Sequence, residues 1–365
     1  MARPQRLADE VDSRVTLKTA IKTLTYESGL LPAWHHWRAR STLTVAMFHR
    51  VLPRGGPRWE QAELEYTVSD RLFVECLEFF RRHYTVVSLD DVLAARQGLR
   101  PLPPRALLVT FDDGWLDNLE VALPPLQRAG LPAVVFAATE PLADPAPSWW
   151  QDTLVRCLWQ KRASHEELWR LATGTVRPPE AAPPNDLHRL LMRFAALDPE
   201  TRRQLLARFI RGDDENQRVM LAPSQLTELT AAGVAIGCHG ATHLPLSLLA
   251  DPATDLKQSR HALAGWLPAG HTGLNAVAFP HGRYNGATLT AARSCGFALM
   301  FTTDPCINDS PAGRPASDVL GRIGITEPAI TGPDGRLQPE KLAVRLFARP
   351  IVRLDEPSGG ARTVS

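Results

Sequence analysis

Short apolar segments alternate with amphipathic segments along most of this chain. Apolar runs typical of buried strands recur near 43–49, 85–89, 106–111, 133–139, 234–239, 276–280, 298–303 and 319–325. Helical periodicity occupies the intervals, near 70–82, 90–96, 116–129, 224–232, 251–266 and 286–295. Because parallel strands need crossover connections, this alternation predicts an α/β fold with a parallel sheet. Seven or eight such units around one core indicate a (β/α) barrel of parallel strands.

The segment 141–222 interrupts this alternation. Prolines open it, Trp149 and Trp150 follow, and two helical stretches near 150–173 and 186–211 flank a linker at 177–185. The segment is therefore predicted to be a helical insertion after the fourth strand. Two interpretations fit it equally. It is either a lid or substrate wall in which Trp149 or Trp150 contacts the substrate, or a small satellite unit without a role in the site.

The two ends of the chain complete the predicted organisation. Residues 1–42 form an N-terminal helical extension, 43–326 form the barrel with its insertion, and 327–365 form a loosely packed C-terminal tail. The extension combines apolar residues with Lys18 and Lys22, and Trp34 and Trp37 with Arg38. Either it lies on an anionic membrane surface, or it packs on the outside of the barrel. The second interpretation is favoured, because short amphipathic signals are weak.

Composition excludes several classes of protein. A net charge of +2 provides no basic footprint for nucleic acid. The five cysteines are scattered, and they indicate reduced core thiols rather than a disulfide framework. The first 42 residues lack a secretory signal pattern, and no stretch approaches a membrane span. We therefore expect a cytoplasmic protein, associated with a membrane if its N-terminal helix contacts one.

Two short segments carry the candidate chemistry. Asp112 and Asp113 follow the apolar run 106–111, and His239 and His243 follow the run 234–239. Two imidazoles, one carboxylate ligand and a spare carboxylate suit an open catalytic metal site with a general base. Each segment alone is weak evidence, because an Asp pair often caps a helix and a lone histidine pair occurs by chance.

Other polar residues also follow predicted strands at their carboxyl ends. Active sites of barrels are built at this face, whereas chance would scatter polar residues over both ends. The residues at or just past these ends are His49, Asp112, Asp113, Thr139, His239, Pro280, His281, Thr303 and Arg322.

These segments resemble the polysaccharide deacetylase family, also called carbohydrate esterase family four. Its signatures are Thr-Phe-Asp-Asp-Gly, here 110–114, and His-Ser/Thr-x-x-His, which is similar to His239-Gly-Ala-Thr-His243. The first strand, 44–51, and the segments 279–285 and 296–303 match further parts in the same order. The resemblance covers roughly 43–140 and 223–326. It implies a distorted (β/α) barrel and a hydrolase that removes acetyl groups from an N-acetylated sugar or saccharide.

The resemblance also implies roles for individual residues. Asp112 corresponds to the general base, and Asp113, His239 and His243 correspond to the metal ligands. The ligand set suits zinc, although iron, cobalt or nickel also fit it. In the third motif, Pro280 and Arg283 are expected to contact the substrate. If the insertion is a lid, Trp149 or Trp150 is expected to stack on a sugar ring.

Two departures from the family pattern concern the base and the acid. Ala278 stands where many members have an arginine that orients the base, so Arg283 replaces it in space or the base lacks an arginine. Arg322 stands where a histidine often acts as general acid, and an arginine cannot release its proton near neutral pH. His49 is therefore the first candidate for the acid and His281 the second. If neither acts, Asp112 returns the proton itself.

Two other functions fit the same residues. Ala278 and Arg322 favour a catalytically silent carbohydrate-binding or scaffolding protein, whereas the complete Asp112, Asp113 and histidine set argues against it. A metal hydrolase of other amides or esters cannot be separated from sugar deacetylation by sequence.

Overall fold

The central sheet has places for seven parallel strands. The last place in chain order is filled by two short strands instead of one. The computed structural model describes residues 21–59, 62–143, 149–176, 185–210, 218–311 and 316–354. Its strands are β1 (Thr42–Phe48), β2 (Arg50–Leu52), β3 (Thr67–Ser69), β4 (Thr85–Val86), β5 (Ala106–Phe111), β6 (Ala133–Ala137), β7 (Val234–Cys238), β8 (Ala276–Ala278), β9 (Leu299–Phe301), β10 (Ile307–Asp309), β11 (Val319–Leu320), β12 (Ile323–Gly324) and β13 (Ile351–Val352). Every predicted strand is present, within a few residues of its expected bounds.

The sheet closes through one short segment. The strand order is β11-β9-β8-β7-β6-β5-β1, all parallel, and β12 pairs in parallel with β1. Because only Gly321 and Arg322 separate β11 from β12, one segment joins both edges of the sheet. The predicted distorted barrel of seven or eight strands is confirmed. β4 adds to β5 outside this path, and β10 pairs antiparallel with β1.

Helices surround the sheet at the predicted positions. They are α1 (Leu30–Arg38), α2 (Asp70–His83), α3 (Leu89–Arg96), α4 (Leu123–Ala129), α5 (Thr139–Leu142), α6 (Trp150–Trp159), α7 (His165–Thr173), α8 (Asn185–Ala195), α9 (Pro199–Ala207), α10 (Pro223–Ala231), α11 (Pro252–Trp266), α12 (Gly286–Ser294), α13 (Glu327–Ile330) and α14 (Pro339–Phe347). Residues 21–27 are also helical, and a π-helical turn, Asn118–Ala122, precedes α4. No helix in the described part of the chain has the length and hydropathy of a bilayer span.

Alternation along the strands divides the core into two layers. In β5, Leu108 belongs to the small cluster enclosed by the strands, whereas Leu107 and Val109 belong to the larger cluster beneath the helices. Successive side chains of a strand point to opposite faces, so fully apolar strands are buried on both sides. The polar residues that follow these strands therefore lie at the mouth of a filled barrel.

The insertion has a core of its own. Leu154, Leu168, Leu190 and Phe194 are buried against one another in a cluster formed by the helices α6 to α9. The predicted helical stretches are thus four short helices, and most of the predicted linker, 177–184, lies outside the described residues. In its packing, the insertion is therefore a small unit with a hydrophobic core separate from that of the barrel.

The prediction of a loosely packed tail after 327 is wrong for residues 327–354. Leu342, Leu346 and Phe347 of α14 are completely buried in the main core, and β13 pairs with β10. Prolines and glycines in this region punctuate helices and turns rather than mark an unpacked segment. Residues 355–365 lie outside the described part.

His35 leads to a prediction about acid stability. It is completely buried in α1, and its ring stacks on Phe347 with the ring centroids 3.9 Å apart. Burial lowers the pKa of His35 to about 3, with smaller contributions from nearby cationic groups. The unfolded chain takes up this proton near the ordinary histidine pKa of about 6.5, so stability falls as pH decreases below that value.

Replacement of His35 by phenylalanine is expected to raise the free energy of unfolding more at about pH 5 than at about pH 7.5, by about 1–2 kcal/mol. Urea unfolding at the two pH values measures the difference. The exposed His261, replaced in the same way, should show no such dependence. An equal effect of His35→Phe at both pH values would contradict the prediction.

Candidate metal centre

Both carboxylates of the Asp pair face one centre because the chain turns sharply after β5. Asp113 has φ 78° and Gly114 has φ 90°, so two successive residues adopt left-handed conformations. Aspartate tolerates this region better than most residues, and glycine enters it without strain. The turn replaces the alternation of a strand, which would otherwise send the two carboxylates to opposite faces.

Three ligand atoms converge at this point. Asp113 Oδ1 lies 3.3 Å from His239 Nε2 and 3.1 Å from His243 Nε2. All three residues are buried, and they form the one group of potential metal ligands found within the described ranges. Ligand atoms bound tetrahedrally at about 2.0–2.2 Å from one ion lie about 3.3–3.6 Å apart. The observed separations are close to that spacing.

The outer atoms of the same side chains are held by other groups. Trp115 Nε1 donates a hydrogen bond to Asp113 Oδ2 at 2.9 Å. His239 Nδ1 lies 2.8 Å from the carbonyl oxygen of Ala278 at the end of β8, which can only accept. In the neutral ring the proton is therefore on Nδ1, and Nε2 carries the lone pair that is available to a metal. Such outer partners orient metal ligands.

The insertion holds the second histidine. Gln151, in the first turn of α6, has its side-chain amide 2.7 Å from His243 Nδ1 and is buried. The ring of Trp149 meets His243 edge-on, with ring centroids 5.3 Å apart, and also packs on Trp115. The satellite unit therefore supplies part of the wall of the centre.

A buried aspartate holds the turn that carries the two histidines. Asp255 of α11 is buried and accepts hydrogen bonds from the backbone N–H groups of Ala241 at 2.8 Å and Thr242 at 3.1 Å. Gly240 has φ 73°, and a Cβ there would lie 2.8 Å from an Asp255 oxygen. The sequence between His239 and His243 is thus set by the need for a tight turn over a carboxylate.

Asp112 is bound by an arginine from the closing segment. Arg322 Nη1 and Nη2 donate to the two oxygens of Asp112 at 2.6 and 2.7 Å, and both side chains are almost fully buried. Arg322 Nε donates to the carbonyl of Thr302. The arginine that binds the expected base is therefore Arg322. The expectation that Arg283 takes this place, or that no arginine does, is wrong.

Charge sets the protonation states at the centre. Burial alone would raise the pKa of Asp113, but His243 and His239 hold it well below the ordinary value. Burial likewise opposes ionisation of Asp112, and Arg322 outweighs it and lowers the pKa of Asp112. Burial lowers the pKa of His239, but Asp112 and Asp113 raise it on balance. Both carboxylates are therefore ionised at neutral pH.

The two candidate acids contact different residues near this centre. The His49 ring meets Tyr66 at 4.9 Å between centroids, and the charges of Asp113 and Asp112 act on it. Burial is the larger effect and lowers the pKa of His49. His281, which has φ 57°, lies beside His243 with ring centroids 4.8 Å apart.

The remaining expected site residues differ in position. Pro280 is buried and packs close to Gly240, so it supports the histidine turn. Trp150 packs against the core and lies under the guanidinium of Arg202, 4.6 Å from the ring centroid. Arg283 is half-buried at the end of the Pro280–Gly282 turn. Substrate contacts of these residues stay predictions.

Sequence reasoning missed three functional contacts. Gln151 and Arg322 reach the centre from 92 and 210 residues away, and no local pattern indicates such contacts. Trp115 is only two residues after Asp113, and its position beside the Asp pair was a signal that could have been used.

Comparison with known proteins gives a match to one family. Residues 195–300 match the family described as polysaccharide deacetylase. This range contains both histidines and the Pro280 turn but not the Asp pair, which the fold brings to them. The search of curated proteins found no match.

Several solved structures share the fold. A deacetylase, PplD, from Streptococcus pyogenes, solved with acetate, is 19% identical with a TM-score of 0.52, covering 84% of this chain and 98% of its own. IcaB from Ammonifex degensii is 20% identical with a TM-score of 0.51, covering 84% of this chain and 97% of its own. A polysaccharide deacetylase from Bacillus cereus is 16% identical with a TM-score of 0.51, covering 84% of this chain and 69% of its own.

Proposed function

We propose that this chain, which resembles polysaccharide deacetylases over residues 195–300 and in its fold, is a hydrolase of carbon–nitrogen bonds other than peptide bonds. In this proposal it removes acetyl groups from an N-acetylated saccharide with a divalent metal held by Asp113, His239 and His243. The observation that carries the proposal is the convergence of these three ligand atoms beside an ionised Asp112. Zinc suits the two-imidazole, one-carboxylate set, and iron, cobalt and nickel are the alternatives.

The chain's own residues supply the proton transfers. A divalent metal, when bound, supplies water activation and polarisation of the acetyl carbonyl. Asp112 takes a proton from the attacking water, and the Arg322 fork keeps its carboxylate ionised and correctly oriented. As the carbon–nitrogen bond breaks, the leaving nitrogen takes up a proton, and acetate and an amine are the products. We assign this second proton to His49.

Acetate release from a panel of N-acetylated oligosaccharides and nucleotide-linked sugars tests the proposal. The protein is stripped with a chelator and then reloaded with zinc, iron, cobalt or nickel in turn. We expect turnover to return with metal and to be about 10²–10⁴-fold lower in Asp112→Asn. A protein that retains metal and binds saccharide, yet releases no acetate from any member, would instead favour the silent carbohydrate-binding alternative.

His49→Ala is expected to lower turnover by about 10²–10⁴-fold without changing metal content. A general acid must be protonated, so activity falls as pH rises through its pKa, and the substitution should remove this basic limb of the kcat/KM profile. The exposed His261→Ala is the matched control. If His281→Ala removes the limb instead, the two roles are exchanged. If neither does, Asp112 returns the proton it took.

Gln151→Leu is expected to weaken metal binding by about 10–100-fold, because His243 loses the partner of its outer nitrogen. A metal-binding His243 Nε2 requires the proton on Nδ1, and a half-turn of the amide presents its oxygen to that N–H. Gln151→Glu should therefore keep the affinity. Competition with a chromophoric chelator measures both, and the exposed Gln204→Leu is the control. Equal affinity of the Leu variant and the wild type would show that Gln151 has no role in the centre.

A further inference from the structure

Helix α1 buries a histidine and exposes two tryptophans. His35 is completely buried, and neither of its ring nitrogens has a hydrogen-bond partner. Trp34 and Trp37, on the other side, are 43% and 67% exposed. Burying an unpartnered imidazole is unfavourable, and so is exposing two tryptophans. The structure nevertheless places the histidine inside and the tryptophans outside.

The exposed apolar residues lie on one face of the helix. Leu30, Trp34 and Trp37 are spaced by four and three residues, so they lie on the same side; we call them the tryptophan face. Leu30 is 66% exposed. Ile21 and Leu24, just before the helix, are also exposed, so that five of the eleven exposed large apolar side chains in the described residues fall within 21–37. This concentration exceeds the scattered apolar exposure of an ordinary surface.

An arginine contacts the tryptophan face, and further basic residues are close to it in sequence. The guanidinium of Arg38 lies 4.4 Å from the ring centroid of Trp34, and it also donates to the carbonyls of Phe347 and Arg349. Lys22 and Arg40 are exposed nearby in sequence. The exposed Glu27 is the one acidic residue within 21–41. Tryptophan beside cationic side chains is the composition that favours the boundary between lipid headgroups and acyl chains.

The helix lies at the end of the barrel opposite the metal centre. The His35 ring contacts Tyr84, which directly precedes β4, and α1 itself leads into the start of β1. The metal centre, by contrast, is built at the carboxyl ends of the strands. A partner bound to the tryptophan face therefore leaves the centre open to substrate.

From these observations we propose that the tryptophan face and its basic neighbours bind the surface of an anionic lipid bilayer. Apolar burial and attraction to anionic headgroups act together in such contacts. A second copy of the chain is a poorer occupant, because a symmetric pair would place the same arginines and lysine against each other. The inference concerns a face separate from the proposed deacetylase centre, and neither depends on the other.

Co-sedimentation of the full chain with vesicles tests the proposal. We expect binding to phosphatidylcholine vesicles that contain about a third phosphatidylglycerol, weaker binding to phosphatidylcholine alone, and release at about 0.5 M salt. The double variant Trp34→Ser/Trp37→Ser should lower the partition coefficient on the order of tenfold or more. The matched control is Trp159→Ser/Leu99→Ser, which removes side chains that are 52% and 75% exposed elsewhere.

Two further measurements separate the outcomes. Acetate release from a soluble N-acetylated oligosaccharide should be the same for wild type and the Trp34/Trp37 variant, so failure of the deacetylase proposal is seen independently. No vesicle binding by the wild type, or equal loss in both double variants, overturns the inference. A dimer in light scattering that the Trp34/Trp37 variant abolishes would assign the face to a second copy.

Discussion

Arg322→Met is expected to destabilise the protein by about 3–5 kcal/mol and to lower turnover on the order of 100-fold or more. The substitution leaves the Asp112 carboxylate buried without the guanidinium group that donates to both of its oxygens. Folding stability falls because an unpaired buried charge is unfavourable. Turnover falls because the carboxylate is no longer held in the orientation that a general base needs. Urea unfolding measures the loss of stability, and acetate release measures the loss of turnover.

A double-mutant cycle separates the pair from a general loss of packing. Asp112→Asn removes the charge but keeps the shape, so Arg322→Met should cost much less stability in that background. Arg293→Met, which breaks the more exposed pair with Asp318, is the control and should change stability by less than about 1 kcal/mol. Equal effects of Arg322→Met in both backgrounds would show that the arginine acts through packing alone.

His239→Ala and Asp112→Asn are expected to separate metal binding from turnover. His239 lies 3.3 Å from the Asp113 oxygen and belongs to the ligand group, so its removal should abolish metal retention and activity together. Asp112 Oδ2 is 4.0 Å from His239 Nε2 and its oxygens are bound by Arg322. Asp112→Asn should therefore retain metal and lose about 10²–10⁴-fold in turnover.

Elemental analysis after dialysis gives the metal content of each variant. The exposed His261→Ala should behave as wild type in both measurements. Metal retained in full by His239→Ala, or lost completely from Asp112→Asn, would contradict the assignment of ligand and base.

Metal affinity should also decrease in acid. Asp112 and Asp113 raise the pKa of His239 against the opposing effect of burial, so protons compete with the metal for its Nε2. This competition follows from the arrangement of charges, and a change in the metal's identity alters its extent but not its direction.

The sequence by itself determined the strands and the end of the barrel at which the chemistry lies. Apolar runs such as 106–111 identify buried strands locally, and the polar residues that follow them must then share one face. Asp112, Asp113, His239 and His243 were predictable as a group for this reason, whereas the choice of Asp113 as the metal ligand came from the family resemblance. The structure brings Asp113 and the two histidines together. The segment after 327 failed because its prolines and glycines were taken as signs of loose packing, whereas α14 is buried.

Only the tertiary structure decided which side chains support these residues. Arg322 reaches Asp112 because the segment between β11 and β12 closes the barrel, a contact across 210 residues that no local pattern encodes. Gln151 reaches His243 because the start of the insertion packs beside the histidine turn. The orientation of α1 likewise depends on whether His35 or the tryptophans fit against Phe347. Local periodicity reports which residues are apolar, but shape and charge across the closed fold determine what each polar side chain meets.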